Sequence, residues 1–574
     1  MTLSAQGASG DEAATSIASV QRGGRFLSSL ALVLTIAFAL RFGWAAFATG
    51  TIDFEGAEYA RLAKNLASGR GYVGIDTPGK NLMFPPLYPF LIAAATVATH
   101  NEEQAARLIS VVMGTALPLV IYAVGRRLYN HKIALIAAAL IAVHPLLVGF
   151  SAMGYCETTY ITLLFTAVYW TIRAFRSATS PSFAMAGAFF GLAYLTRAEA
   201  VIFPLAAFAL ALLYVWQRGT SFPFRIAQRS LLLPGMFLVL AVPYLLWLHS
   251  QTGQWRIEGK SPLNYVTARE IVNGVAFSDA HYGVDADLKE RGVWIQSNLT
   301  TIQATHFRPF EFARYLQARS KDIIAYTKDT LTGSAIFGSP PLFAFAVLGL
   351  FRKRWDHLHA VSQLLLWVIM VVSSAALFGI YYLSPRFFLV LAPIFVLWAS
   401  NGIVAFTMWA RSAVRLFCSS PVKIRWIAGG LATLLAGMIP VVSAPRAAIL
   451  SEIYTFNRAS LPLKGAGEWL NAYAPGQKTV MDASTTVSFY ASADWAPFPY
   501  CSSDVAMRYL DKRGVNFIVI RDRALNSRPY LKTWIETGIP SSRARLIYNA
   551  KAPELGRILI YEWEPVSQER ASND

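Results

Sequence analysis

Long apolar runs broken by short basic clusters dominate the chain. Eleven of them, near 26–48, 106–125, 133–149, 157–172, 183–197, 199–216, 230–248, 337–351, 360–380, 387–410 and 426–444, approach or exceed the length a helix needs to cross a hydrocarbon core about 30 Å thick. A helix satisfies its own backbone polar groups within one segment, which a bilayer interior demands. The pattern therefore predicts an all-α polytopic membrane bundle of about eleven transmembrane helices.

Three stretches depart from it. In the loop 50–105, Tyr59, Leu62, Ala63 and Leu66 fall at helical spacing, which predicts a juxtamembrane helix opened by Asp53 and Glu55. Gly69, Gly71 and Gly74 loosen the chain before Phe84-Pro85-Pro86-Leu87-Tyr88-Pro89, whose prolines stop one helix and restart another, so Tyr88 belongs to a turn that shapes a cavity wall. The segment 249–336 carries Phe312, Tyr315, Leu316 and Ile323 as an apolar stripe on a second surface helix, either packed on the membrane or covering a site. Beyond 445, strand-like runs at 478–482, 515–522, 545–549 and 557–563 with a helical stretch at 503–513 predict a small α/β domain. None of its strands leads into a G-x-G-x-x-G or Walker sequence.

Composition agrees with a bilayer as solvent: of 574 residues, 55% are hydrophobic and 15% charged. The net charge of +18 raises the question of nucleic acid, but the placement of the basic residues answers it. Counted alternately from a cytoplasmic N-terminus, the inner segments hold seventeen basic residues against Asp11, Glu12 and Asp356, and the loop 50–105 has six acids against four bases. That is the positive-inside pattern, so no nucleic acid is expected. The chain reads as a disordered cytoplasmic 1–25, a membrane domain over 26–444 with external loops 50–105 and 249–336, and an extracytoplasmic domain over 445–574. The first run is too long for a signal-peptide core and reads as an uncleaved anchor, and short loops point to a bacterial inner (plasma) membrane. Cys156, Cys418 and Cys501 have no metal or disulfide spacing, and Asn298-Leu-Thr is a bare glycosylation triplet.

Charged side chains at span ends carry the candidate chemistry, because they are costly there unless paired or used. Asp53 and Glu55 follow the first span, where a carboxylate either caps the next helix or serves as general base toward a hydroxyl. Glu157 starts the fourth span in an uncharged stretch. Arg197 and Glu199, in Thr196-Arg197-Ala198-Glu199, form either an ion pair or a site. Arg386, preceded by Tyr382, either snorkels or meets a lipid phosphate. His144 suits packing better than ligation. No cofactor is expected; a divalent metal is compatible with these acids but not indicated by them.

These motifs together resemble the GT-C membrane glycosyltransferases, in the branch of the protein mannosyltransferases and lipid A aminoarabinose transferases, over residues 26–410. The resemblance rests on the Asp-x-Glu-Gly-x-x-Tyr-x-x-x-Ala helix, the Pro-Pro-Leu-Tyr-Pro turn, Glu157, the Thr-Arg-x-Glu corner and the Arg-Phe-x-x-x-x-x-Pro start of a late span. It implies a polyprenyl-phosphate sugar donor, membrane lipids around it, an envelope lipid, glycan or protein hydroxyl as acceptor, and inversion at the anomeric carbon. It assigns Asp53 as catalytic base, Glu157 to substrate placement, and Arg386 with Arg197 to the departing phosphate. Many relatives carry Glu-Lys before the Pro-Pro turn, the Lys binding the donor phosphate; this chain has Met83-Phe84, so either Lys80 replaces that Lys or Phe84 signals a different donor headgroup. A transporter or flippase of lipid-linked sugars is the competing class, but the charges gather at one face and no internal repeat is visible.

Overall fold

The computed structural model describes residues 28–47, 50–52, 54–76, 79–217, 224–295, 302, 305–306, 308–333, 340–352, 356–376, 385–417, 420–424, 426–427, 430 and 458–565. Helices occupy the first ten predicted runs. Among the described residues, six helices are long and apolar enough to cross a membrane: Ser28–Phe47, Glu102–Leu128, Ala198–Trp216, Ala227–Thr252, His357–Ala375 and Arg386–Arg415. Leu87–Thr99, His131–Ala142 and Pro341–Phe351 are apolar but shorter. The chain is thus a multi-pass membrane protein, while the expected count of about eleven crossings is not established. Residues 1–25 and nearly all of the eleventh run lie outside the described residues. The third run is cut in two, because Pro145 starts a new helix (Pro145–Phe150) and His144 caps it by accepting the Leu147 N–H at 3.4 Å. His144 is accordingly a capping residue.

Ser28–Phe47 turns Leu32, Phe38 and Phe47 outward as a lipid-facing surface helix would, whereas Ala392–Arg415 runs through the bundle core. It crosses Pro340–Phe351 at backbone contact, since a Cβ on Gly349 would overlap the Trp398 carbonyl and one on Gly402 the Phe345 carbonyl. Small residues at such crossings let membrane helices gain close packing. The Asn401 amide donates to the Gly349 carbonyl at 2.7 Å, closing the crossing with a buried hydrogen bond. Gly402→Ala should therefore lower stability by about 1–3 kcal/mol, read as a lower Tm in detergent; an unchanged Tm contradicts the contact.

The α/β domain is confirmed as a five-stranded sheet of order β2-β1-β3-β5-β4, with β1 Thr479–Asp482, β2 Asp494–Pro497, β3 Phe517–Arg521, β4 Ala544–Ala552 and β5 Gly556–Trp563. β1 pairs in parallel with β2 and β3, and the other pairs are antiparallel. The predicted helix at 503–513 is Ser503–Lys512. The domain sits on the first loop. Tyr490 Oη accepts the Ile52 N–H at 3.1 Å and donates to Glu103 at 2.9 Å, the Trp495 N–H donates to the Ile75 carbonyl at 2.9 Å, and Arg61 reaches the Ala493 carbonyl at 3.0 Å.

Candidate active site

Phe54–Ala67 is the predicted first-loop helix, and its mostly buried faces wedge it between the bundle and the α/β domain. Phe54 has φ +41°, a left-handed conformation that side chains rarely adopt, and its N–H donates to Thr485 Oγ1 at 2.9 Å. This turn admits the Glu55 side chain to a cavity of about 950 Å³ between the first loop, the 249–336 segment, the late helices and the α/β domain. The loop after the helix is pinned from below. Glu58, buried, accepts the Ile75 N–H at 2.8 Å and a hydrogen bond from Asn81, and Gly74 is required because any Cβ there would strike the Glu58 carboxylate.

Glu55 is shared by two cations from distant parts of the chain: Lys260 Nζ at 2.6 Å on one oxygen and Arg386 Nη1 at 3.0 Å on the other. Arg386 also approaches Glu157 at 3.7 Å, and Arg197 joins Glu157 at 3.3 Å to Glu199 at 3.0 Å. Burial alone would raise the Glu55 carboxyl, but the charges of Arg386 and Lys260 outweigh it and hold the group well below the ordinary carboxylate range. Three carboxylates thus face three cations, and formal charge cancels. Aromatic rings fix the guanidinium groups, with Arg386 4.9 Å from the Phe387 centroid and 5.5 Å from Tyr155, and Arg197 5.6 Å from Tyr160. Glu157 is 2% exposed, and its second oxygen has no hydrogen-bond partner among the described residues.

Five residues singled out in the sequence therefore converge: Glu55, Glu157, Arg197, Glu199 and Arg386. Glu55 and Glu157 spend their side chains on cations rather than on capping their helices. Arg386 turns inward to carboxylates instead of snorkelling, and the Arg197–Glu199 pair exists but extends to Glu157. Tyr88 is fully buried, bonded to Ser110 Oγ at 2.7 Å and packed edge-on to Tyr59, so it supports the wall from behind. Lys80 is exposed, pairs by backbone with Val73, and stays out of the cavity lining. Asp53 and Tyr382 lie outside the described residues, as do Asn298 and Cys418. No group of three or more metal-ligating side chains occurs among the described residues.

Sequence reading passed over Lys260 and Asp76. Lys260 opens the helix Lys260–Val272, and its ammonium lies 5.0 Å from the ring centroid of Phe84, the residue before the Pro-Pro turn. A cation is thus present beside that turn after all, delivered from another segment. Nothing local marks it, since its partner Glu55 is 205 residues away.

Residues 84–247 match the family model described as dolichyl-phosphate-mannose-protein mannosyltransferase. No curated protein matches the sequence. Among solved structures, the Archaeoglobus fulgidus oligosaccharyltransferase in its apo form superposes with a TM-score of 0.56 at 13% identity, over 95% of this chain and 75% of that one. ArnT from Cupriavidus metallidurans superposes with TM-scores of 0.52 (apo, 13% identity) and 0.50 (bound to undecaprenyl phosphate, 12% identity), each over 94% of this chain and 98% of that one. At such identities the likeness is one of fold. The sequence match over residues 84–247 and the shared fold make the chain similar to the GT-C membrane glycosyltransferases.

Proposed function

We propose that the protein transfers a sugar, with inversion, from a polyprenyl-phosphate donor to a hydroxyl acceptor on the extracytoplasmic face of a bacterial inner membrane. The observation that carries this reading is the Glu55 carboxylate held between Lys260 and Arg386 inside the cavity. Two cations converging on one anion form a site that a phosphate can take over. Val201, Ile202, Val372 and Ala375 line the cavity near Arg197 and Arg386, an apolar border for a prenyl chain in a protein whose fold-relative binds undecaprenyl phosphate. Because charge already cancels among these six side chains, an arriving phosphate must displace a carboxylate. Glu157 is too enclosed; Glu55, 17% exposed, is the one that both cations can release.

Donor binding then sets up the chemistry. Lys260 and Arg386 pair with the phosphate, Glu55 loses the charges that suppressed its basicity, and it accepts the acceptor hydroxyl proton. The hydroxyl oxygen attacks the anomeric carbon from the face opposite the phosphate. The carbon–oxygen bond to phosphate breaks, and the leaving phosphate keeps the electron pair, its charge met by Lys260, Arg386 and Arg197. Glu157 and Glu199 hold the two arginines in place. Asp53, two residues before Glu55, is the other first-loop carboxylate available as base.

Purified protein in nanodiscs, given a radiolabelled polyprenyl-phosphate sugar and membrane extract, should release polyprenyl phosphate and yield a covalently labelled product. Movement of the intact donor between leaflets with no product would instead identify a transporter. Lys260→Ala should weaken binding of undecaprenyl phosphate by about 10- to 100-fold, the loss of one charge-assisted contact, while Lys80→Ala leaves it within twofold. The reverse ranking would return the phosphate site to the first loop.

A further inference from the structure

The cavity has a second end, apart from the Glu55 cluster, where three separate segments meet. Asp76 of the first loop pairs by backbone with Trp495 of β2, and Tyr282 of the 249–336 segment is tied to the same domain through the Tyr500 N–H to Tyr282 carbonyl bond at 2.7 Å. Trp294 packs against the first-loop core beside them, and all four residues line the cavity. We propose that this end binds an uncharged saccharide, so that the acceptor is a glycan hydroxyl rather than a phosphorylated lipid or a peptide. The proposal rests on the transferase reading above and names the substrate class of its acceptor side.

The chemistry of the lining argues for it. Aromatic walls with a few directional polar groups suit a flat, hydroxyl-bearing ligand whose C–H faces lie on rings and whose hydroxyls need both donors and acceptors. Tyr282 is fixed by the Arg528 guanidinium 4.4 Å from its ring centroid, and Trp294 lies nearly parallel to His281, at 11° and 6.4 Å. Burial, then the neighbouring Glu58, push the Asp76 carboxyl up to about 8, so it is mostly protonated at pH 7 and can donate as well as accept. Glu58 is already engaged with Ile75 and Asn81. The Trp294 indole N–H is buried without an acceptor among the described residues, a donor to which a saccharide hydroxyl can bond.

What is missing at this end matters equally. The cations that line the cavity are committed elsewhere: Lys260 and Arg386 to Glu55, Arg197 to Glu199, and Arg256 to Gln254 and to the carbonyls of Ile302 and Thr305. A phosphorylated headgroup would meet the Asp76 and Glu58 carboxyl groups there, and the nearby guanidinium groups are spent on Glu290 at 3.6 Å (Arg513) and on the Phe498 carbonyl at 2.6 Å (Arg528), so its desolvation is poorly offset.

The test uses the full-length protein in nanodiscs on an array of defined uncharged oligosaccharides, phosphorylated glycans and Ser/Thr peptides. Uncharged oligosaccharides should be captured, with affinity reduced at least tenfold by Asp76→Ala and by Trp294→Phe, and retained within threefold by Asp76→Asn, whose amide also donates and accepts. Undecaprenyl phosphate binding, measured in parallel, should stay within twofold in all three variants. Capture of phosphorylated glycans or peptides in place of uncharged saccharides overturns the proposal, as does uncharged-saccharide binding that ignores Asp76 and Trp294. Failure of undecaprenyl phosphate to bind the wild type would instead count against the donor reading.

Discussion

Glu55→Gln is expected to lower turnover by about 1,000-fold while tightening the binding of undecaprenyl phosphate by about tenfold. The first effect follows from removing a general base, a loss that usually spans about 100- to 10,000-fold. The second has the opposite sign because the wild-type carboxylate itself engages Lys260 and Arg386, at 2.6 and 3.0 Å. A neutral amide leaves three cations with two carboxylates, Glu157 and Glu199, and the one excess positive charge favours any incoming anion. The same exchange predicts a pH signature. In the free protein Glu55 is held well below the ordinary carboxylate range by Arg386 and Lys260 against its burial, so the acid limb of kcat/KM lies at low pH. With donor bound, the phosphate takes over those charges and the Glu55 carboxyl rises, so the acid limb of kcat lies at higher pH than that of kcat/KM, by at least about one unit. Rate profiles and a fluorescence titration with undecaprenyl phosphate read all three effects. Weaker lipid-phosphate binding in Glu55→Gln would show that the carboxylate does not compete for the site. Full turnover in Glu55→Gln together with a dead Asp53→Asn would move the base to Asp53.

The sequence carried the bundle and most of the site because both leave a physical mark. Apolar length announces spans, and a charge within such a run is expensive enough to stand out, which is how Glu157, Arg197, Glu199 and Arg386 could be picked before any contact was known. What they touch was not legible: Glu55 meets Arg386 across 331 residues, and chain separation says nothing about such a pairing. Lys260 and Asp76 leave no mark at all. Lys260 lies in a segment of ten basic and nine acidic residues, where one more charge has no contrast, and Asp76 becomes unusual only once the α/β domain buries it beside Glu58. Lys80 illustrates the converse, since nearness in sequence to the Pro-Pro turn suggested a role that its backbone pairing with Val73 turns away from the cavity. In the α/β domain, four strands carry enough β-branched residues to be read, but β2, no longer than β1, has none and ends in Pro497, too little pattern to see until β1 supplies its partner.

Arg386→Ala should lower both turnover and stability, because one side chain serves two carboxylates. It contacts Glu55 at 3.0 Å and Glu157 at 3.7 Å with only 18% of its side chain exposed. In the reaction it faces the departing phosphate, and removing one such preorganised donor typically lowers turnover by about 100- to 1,000-fold. In the resting protein its loss leaves Glu157, 3% exposed on its side chain, with Arg197 alone. Breaking a fully buried pair costs about 3–5 kcal/mol, and the remaining Arg197 contact reduces this to roughly 1–3 kcal/mol, so Tm should also fall. The two effects separate by rescue. Arg386→Lys keeps the charge but lacks the planar guanidinium that lies over Phe387 and Tyr155, so it should recover most of the Tm and only part of the turnover. Added guanidinium ion should restore turnover in Arg386→Ala without restoring Tm to the wild-type value. If Arg386→Ala instead turns over within threefold of the wild type, the leaving phosphate does not depart past Arg386, and the mechanism built on the Glu55 exchange loses its second cation.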